Sequence, residues 1–272
     1  MKKLLVLGAS GLVGKALLEE CRDGFDVYGT YHSSVSLLPG GKQLYLDIQQ
    51  GEKILEMIRE MKPEIVVSCL RGEFPHQLAF HQKLAFVLQE SQSMLYYFST
   101  ANVFDGDFSQ HHKEADLTVA ESEYGNFKIQ CEHILQQILG EHVSIIRIPQ
   151  IWGKESLRLN QLKEFISGNK AMEIYHNLAC NNLLDTQLAK QMRYIFEQNL
   201  KGIFHLGSTD MMMHAKFAEN LLRKITNQDV NLPYHLFDET EEIRYFGLES
   251  SRTDIPKELQ ITNEAIIQML VG

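Results

Sequence analysis

The sequence of 272 residues predicts an α/β fold: a doubly wound parallel sheet with a smaller C-terminal lobe. Two observations favour it. Short apolar runs alternate with amphipathic stretches through the first half, and a glycine-rich turn follows the first apolar run. Strands that alternate with helices pair in parallel through right-handed crossovers, and helices then cover both faces of the sheet. A chain of this length can bury one large core and still carry an additional lobe.

Six apolar runs are predicted to be the strands of this sheet. They are short, and turn residues or a proline bound several of them, as expected for buried strands: residues 3–7, 26–31, 43–46, 64–68, 94–98 and 142–148. Between them, apolar residues recur at helical spacing over 14–22, 54–61 and 124–139, which predicts three helices.

After Ile148 the alternation becomes irregular. The pattern predicts helices over 162–166, 181–198, 215–225 and 263–270, and a brief strand over 203–206. We therefore assign residues 1–150 to the sheet domain. We expect the chain to return to this domain over about residues 183–207. Residues 151–182 and 208–272 form a small substrate-binding lobe over the carboxyl edge of the sheet, where open α/β folds bind ligands.

The composition excludes several classes of protein. With 35 acidic and 26 basic side chains the net charge is −9, which argues against a nucleic-acid partner. No apolar run reaches the ~18 residues of a membrane-spanning helix. The four cysteines lie far apart and match neither a zinc site nor a disulfide framework. We expect a cytoplasmic, soluble protein with a small-molecule substrate and no metal; a homodimer is compatible with the sequence.

The glycine-rich turn has the spacing Gly-x-x-Gly-x-x-Gly and lies between the first strand and the first helix. Glycines let backbone N–H groups approach a pyrophosphate, and the start of the helix adds its unsatisfied amides and positive dipole end. In this context the turn predicts a dinucleotide-binding loop made of Gly8, Ser10, Gly11, Leu12, Val13 and Gly14.

The end of the second predicted strand bears on the choice of dinucleotide. An acid here would bind the ribose hydroxyls of NAD, but the chain has His32, Ser33 and Ser34 instead. These side chains could hydrogen-bond a 2′-phosphate and would not repel it. The sequence therefore favours NADP, with NAD as the alternative.

Tyr124 and Lys128 lie four residues apart, on one face of a predicted helix. A free phenol has a pKa of about 10, and a nearby ammonium would lower it, which suits a tyrosine for acid–base catalysis. Thr100 ends the preceding strand and could polarise the same substrate carbonyl. The alternative is a surface tyrosine with a solvated lysine.

The segment Ser99–Gly106, followed by Tyr124, Lys128 and Glu132, resembles the dTDP-4-dehydrorhamnose reductase family of the extended short-chain dehydrogenase/reductases. The spacing of the glycine-rich turn is also similar to that superfamily. The resemblance implies a Rossmann fold and NAD(P)H-dependent reduction of a nucleotide-linked keto sugar. It further implies that Thr100 orients the carbonyl, Tyr124 supplies the proton, and Lys128 tunes the phenol and contacts the cofactor.

The resemblance also implies further site residues. For the cofactor these are Asp47, Ile48 and Leu70, and for the substrate Arg147, Gln150 and Trp152. Asp47 could instead cap a helix, and Trp152 could instead be structural packing.

Two segments depart from the pattern of the family. Ala101 and Asn102 replace an Asp-Tyr pair, and Ser68–Gly72 replaces an Asn-Ala-Ala-Tyr-Thr stretch. Both segments are expected to border the substrate, with Asn102 and Arg71 as contacts. Arg71 would be a phosphate or carboxylate clamp, or else a solvated loop residue. A sugar-nucleotide epimerase and a non-catalytic NADP-binding regulatory subunit therefore remain alternatives to a reductase.

Overall fold

The computed structural model describes residues 1–33, 38–166, 168, 172–229 and 232–272. Within them the strands, numbered in chain order, are β1 Lys3–Leu7, β2 Asp26–Tyr31, β3 Gln43–Tyr45, β4 Ile65–Ser68, β5 Met94–Thr100, β6 Val143–Ile148, β7 Gln150–Trp152, β8 Leu178–Cys180, β9 Asn182–Leu184, β10 Ile203–His205, β11 Met212–Met213 and β12 Arg244–Phe246. The helices are α1 Leu12–Cys21, α2 Glu52–Met61, α3 Phe74–Ser91, α4 Glu123–Leu139, α5 Leu157–Ile166, α6 Asp185–Glu197, α7 His214–Thr226 and α8 Asn263–Val271.

Seven strands form one parallel sheet in the order β3-β2-β1-β4-β5-β6-β10. The order along the sheet reverses between β1 and β4, and such a reversal opens a crevice at the carboxyl ends of the two strands. This topology confirms the predicted doubly wound fold. The six predicted strands all occur, with ends that differ by at most two residues.

The alternation of side chains in β1 shows how helices come to cover both faces of the sheet. Leu4 and Val6 point into one core, which the apolar residues of α1 and α6 complete. Leu5 and Leu7 point into a second core, completed by residues of α2, α3 and α4. All four side chains are fully buried, so β1 packs against the helices on both faces of the sheet.

Two parts of the helical prediction were incomplete. Helix α3 was not predicted, because Gln77 and His81 lie on its buried face and interrupt the apolar spacing. The helix predicted from residue 181 begins only at Asp185, since Asn182–Leu184 is a strand paired with β7.

The C-terminal part of the chain forms smaller sheets and returns once to the main one. Strand β8 lies between β11 and β12 in a three-stranded sheet, and β7 pairs with β9. Strand β10 extends the main sheet beside β6, and α6 packs against α1. Among the described residues no helix has the length and apolar character needed to span a membrane.

Candidate active site

The glycine-rich turn lies at the carboxyl end of β1. Gly8 has a φ of +81°, a conformation that favours glycine, and its N–H donates to Thr30 Oγ1 at 2.9 Å. At Gly14 a Cβ atom would lie 2.4 Å from the carbonyl oxygen of Gly8, so only glycine lets the turn pack on α1. The N-cap residue of α1 is Gly11, and no side chain caps the helix. The first amides of α1 are therefore available to an anion.

A cleft of ≈ 360 Å³ opens beside this turn. Twelve of the predicted site residues line it: Gly8, Ser10, Gly11, Leu12, Val13, Gly14, His32, Ser33, Leu70, Arg71, Tyr124 and Lys128. The sequence did not single out the remaining lining residues, which come mostly from strand ends: Thr30, Tyr31, Leu46, Cys69, Phe98, Ser99 and Ile148. The cleft therefore joins the glycine-rich turn to the Tyr124–Lys128 pair.

At the far end of the cleft, His32 and Ser33 are exposed, and His32 stacks on Tyr45 with ring centroids 5.9 Å apart. Ser34 lies outside the described residues. Asp47 caps the short 3-10 helix that starts at Ile48, accepting a hydrogen bond from the Gln49 N–H at 2.9 Å. Neither Asp47 nor Ile48 lines the cleft, so the capping alternative describes Asp47 in this structure.

Tyr124 lines the cleft, and Thr100, the last residue of β5, lies close enough to the phenol to lower its pKa. The Thr100 hydroxyl donates to Asn102 Oδ1 at 2.9 Å. The Asn102 amide donates to Asp105, and Asp105 accepts hydrogen bonds from the Ser122 hydroxyl and backbone N–H. Because Ser122 is the N-cap of α4, this network fixes the first turn of α4, and so Tyr124, against the end of β5. Asn102 has this role here, and it does not line the cleft.

Lys128 lies one helical turn further along α4 and is 6% exposed. Its ammonium donates to the Phe98 carbonyl at 2.8 Å and to the Tyr97 hydroxyl at 3.1 Å. It lies 6.0 Å from the centre of the Tyr124 ring. Burial lowers the pKa of Lys128 to about 8.

The pKa of Tyr124 does not follow the sequence prediction. Desolvation raises it above its ordinary value, although the hydrogen bond with Thr100 and the charge of Arg71 act in the opposite direction. Lys128 was expected to lower it, but the two polar groups are not in contact, and the ammonium is bound to β5 instead. The phenol is therefore held in its protonated form at neutral pH.

Arg71 and a second arginine, Arg158, lie close enough together for their charges to interact. Arg71 lines the cleft, and Arg158 occupies the first turn of α5. Desolvation is the main cause that lowers the pKa of Arg158, and the positive charge of Arg71 is the second cause. The two guanidinium groups therefore influence each other. Within the described ranges neither has a hydrogen-bond or ion-pair partner. The sequence reasoning missed Arg158, which belongs to no motif.

Two predicted substrate contacts are buried in the protein instead. Arg147 is 3% exposed and forms an ion pair with Glu132, with Nη2 and Oε2 2.7 Å apart. Trp152 is 3% exposed, donates its indole N–H to Asn182 Oδ1 at 2.8 Å and packs on Phe217. Both side chains are occupied by these partners, so the expectation that they face a substrate does not agree with the structure.

Gln150, the third residue of that predicted group, is the first residue of β7. It pairs with Asn182 in β9 and does not line the cleft. The stretch that follows β6 therefore pairs with β9 and lies outside the cleft lining.

A family model described as RmlD substrate binding domain matches residues 76–242, more than half of the chain. The chain therefore belongs to the RmlD substrate-binding domain family. It is similar to a probable low-salt glycan biosynthesis reductase, Agl14, of Haloferax volcanii, with 21% identity over 81% of this chain and 79% of the relative. It is also similar to the methionine adenosyltransferase 2 subunit beta of Danio rerio, with 25% identity over 78% of this chain and 70% of the relative.

Among solved structures, the fold is similar to the dTDP-4-dehydrorhamnose reductase of Bacillus anthracis str. Ames, crystallised in complex with NADP. The TM-score is 0.81 with 18% sequence identity, and the match covers 100% of this chain and 98% of the other. At this identity the similarity shows that the two proteins share the same fold.

Proposed function

We propose that the protein is an NAD(P)H-dependent reductase of a nucleotide-linked keto sugar. One observation carries the proposal: Tyr124 and Lys128 line the same cleft as the uncapped start of α1. Membership of the RmlD family supports it, as do the reductase named among the relatives and the NADP complex of the similar crystal structure.

The residues of the cleft fit a dinucleotide. The free amides at the start of α1 would hold the pyrophosphate, and His32 and Ser33 would face the ribose and its 2′-phosphate. Lys128 would reach the nicotinamide ribose with the N–H that it does not donate to β5. When bound, the nicotinamide supplies the hydride.

The side chains of the chain itself would handle the proton. Tyr124, kept protonated by its raised pKa, would donate its hydroxyl proton to the carbonyl oxygen of the substrate. Thr100 would hold the phenol and the carbonyl in line, and Lys128 would stabilise the phenolate that remains.

The free arginines favour an anionic substrate. Guanidinium groups without partners bind phosphate strongly. Arg71 lines the cleft and acts on Tyr124, and Arg158 is close enough to interact with Arg71. A diphosphate between sugar and nucleoside would place negative charge next to them.

Turnover on a panel of nucleotide-linked 4-keto sugars, followed through NADPH absorbance, tests this function. Tyr124→Phe removes the proton donor and keeps the ring, so turnover should fall ~10²–10⁴-fold while NADPH binding persists. Tyr234→Phe, which changes an exposed tyrosine of the lobe, is the matched control and should behave as the wild type. If Tyr124→Phe retains near-normal turnover, the assigned role of the phenol is wrong.

A non-catalytic regulatory subunit is the second candidate. The similarity to a methionine adenosyltransferase subunit and the Ala101–Asn102 departure favour it. Tight NADPH binding with no turnover on any substrate of the panel would select this candidate over the reductase.

A further inference from the structure

One aromatic residue, Tyr97, contacts the ammonium of Lys128 through both its hydroxyl and its ring. Tyr97, which is 1% exposed, places its hydroxyl 3.1 Å from Lys128 Nζ and its ring centre 4.5 Å from the same atom. The phenol thus offers the cation both a hydrogen-bond acceptor and the face of its π system. The Phe98 carbonyl is the second acceptor, so two N–H bonds of the ammonium point toward β5.

In the described part of the chain, no carboxylate accepts a hydrogen bond from the Lys128 ammonium. Glu132, one turn further along α4, is occupied by Arg147 and by the Ser99 hydroxyl. The other titratable or charged groups that act on Lys128 are Cys131 of α4, Cys69 and Arg71 of the loop after β4, and His81 of α3. Arg71 disfavours the positive charge, and the pKa of His81 is lowered to about 3, which leaves that imidazole neutral.

The Tyr97 side chain is itself fixed. It is 1% exposed, and its ring packs edge-on against His81 at a centroid distance of 5.0 Å. Burial holds the pKa of Tyr97 well above its ordinary value, so the phenol is neutral over the whole range in which Lys128 titrates. A neutral acceptor positions the ammonium and leaves its full charge for a ligand.

We propose that Tyr97 is a positioning residue for Lys128 at the floor of the cleft. Its buried hydroxyl orients the free N–H of the ammonium and stabilises the protonated state of the ammonium. This inference rests on the proposed function, because it assumes that the free N–H serves a bound dinucleotide. A phenylalanine at this position would keep the packing and the cation–π contact and lose only the acceptor.

The test compares Tyr97→Phe with Tyr96→Phe. Tyr96 is the adjacent residue of β5, is equally buried, points into the opposite core and donates its hydroxyl to the Leu200 carbonyl at 3.2 Å. Both variants lose one buried hydroxyl group, but only Tyr97→Phe takes an acceptor from Lys128. NADPH affinity is measured as a function of pH by equilibrium titration, together with the thermal stability of each variant.

In the wild type, NADPH affinity should fall as Lys128 loses its proton at alkaline pH. In Tyr97→Phe the midpoint of this fall should move to lower pH by about one unit, because a lost hydrogen bond to a charged group has that magnitude. Tyr96→Phe should keep the midpoint of the wild type. If the two variants shift the midpoint equally, or if the midpoint of Tyr97→Phe stays at the wild-type pH, Tyr97 is merely structural and the proposal is overturned.

A second measurement separates this inference from the proposed function. The pKa of Lys128 can be followed directly by NMR of its Cε carbon in protein labelled at lysine, without any cofactor. Tyr97→Phe should lower that pKa by about one unit. An unchanged value contradicts the inference even if NADPH binds. A lowered value in a protein that does not bind NADPH confirms the anchoring of the ammonium and refutes only the dinucleotide function.

Discussion

Replacing Lys128 by methionine should make the protein more stable at neutral pH while weakening its binding of NADPH. Burial lowers the pKa of Lys128 from 10.5 to about 8, so folding carries a cost for the charged ammonium. At ~1.36 kcal/mol for each pH unit, a difference of roughly 2.5 units corresponds to about 3 kcal/mol. Methionine fills a similar volume and carries no charge, so it avoids this cost. The Tyr97 hydroxyl and the Phe98 carbonyl then lose a donor, which offsets part of the gain.

The pH dependence distinguishes this cost from a simple packing effect. Because the pKa of the folded state is the lower one, the contribution of Lys128 to stability is complete above about pH 10.5 and is lost as the pH falls toward about 8. The free energy of unfolding of the wild type, minus that of Lys128→Met, should therefore rise by about 2 kcal/mol between about pH 7.5 and about pH 10. Taking this difference cancels the titration of cysteines and tyrosines that both proteins share.

Urea unfolding followed by circular dichroism, at several pH values, gives the required free energies. Lys53→Met, which removes an exposed lysine from α2, is the control for losing a lysine as such. A difference that stays flat across this pH range would refute the buried-charge reasoning. So would a Lys128→Met variant that is less stable than the wild type at neutral pH and still binds NADPH normally.

Three further predictions concern other charged or polar groups. His32→Asp should reduce the preference for NADPH over NADH in equilibrium titrations, since a carboxylate repels a 2′-phosphate; equal affinities in the wild type would refute the preference itself. Glu132→Gln should cost about 3–5 kcal/mol in urea unfolding, because Arg147 stays buried without a counterion, and adding Arg147→Met should recover much of the loss. Arg158→Gln should raise the KM of an anionic substrate about tenfold with little change in kcat, and an unchanged KM would remove Arg158 from the substrate site.

The central sheet and the dinucleotide-type loop follow from local features of the sequence. Apolar runs such as Lys3–Leu7 and the glycines at positions 8, 11 and 14 act within a few residues of chain, so their consequences can be read locally. The same holds for Tyr124 and Lys128, which helical spacing alone places on one side of α4. Local signals also carried the resemblance to the RmlD family.

Helix α3 was decided by tertiary structure. Its buried face contains His81, whose ring is hydrogen-bonded to Ser68 at 2.7 Å and to the Gln77 carbonyl at 2.7 Å. A polar residue on the buried face interrupts the apolar spacing by which a helix is recognised in a sequence. Its burial becomes favourable only when partners in the folded chain accept or donate its hydrogen bonds.

Tertiary structure also decided which cations are free. The sequence treated Arg147 and Arg71 alike, as candidates for a substrate, and gave no reason to notice Arg158. In the fold Arg147 faces Glu132 from the neighbouring helix and is neutralised, whereas Arg71 and Arg158 have no ion-pair partner among the described residues. Likewise, Lys128 lies within reach of Tyr97, a residue 31 positions earlier, and not of the Tyr124 hydroxyl. Electrostatic partners and desolvation depend on distances in space between residues far apart in the chain, and these distances exist only once the strands and helices have packed.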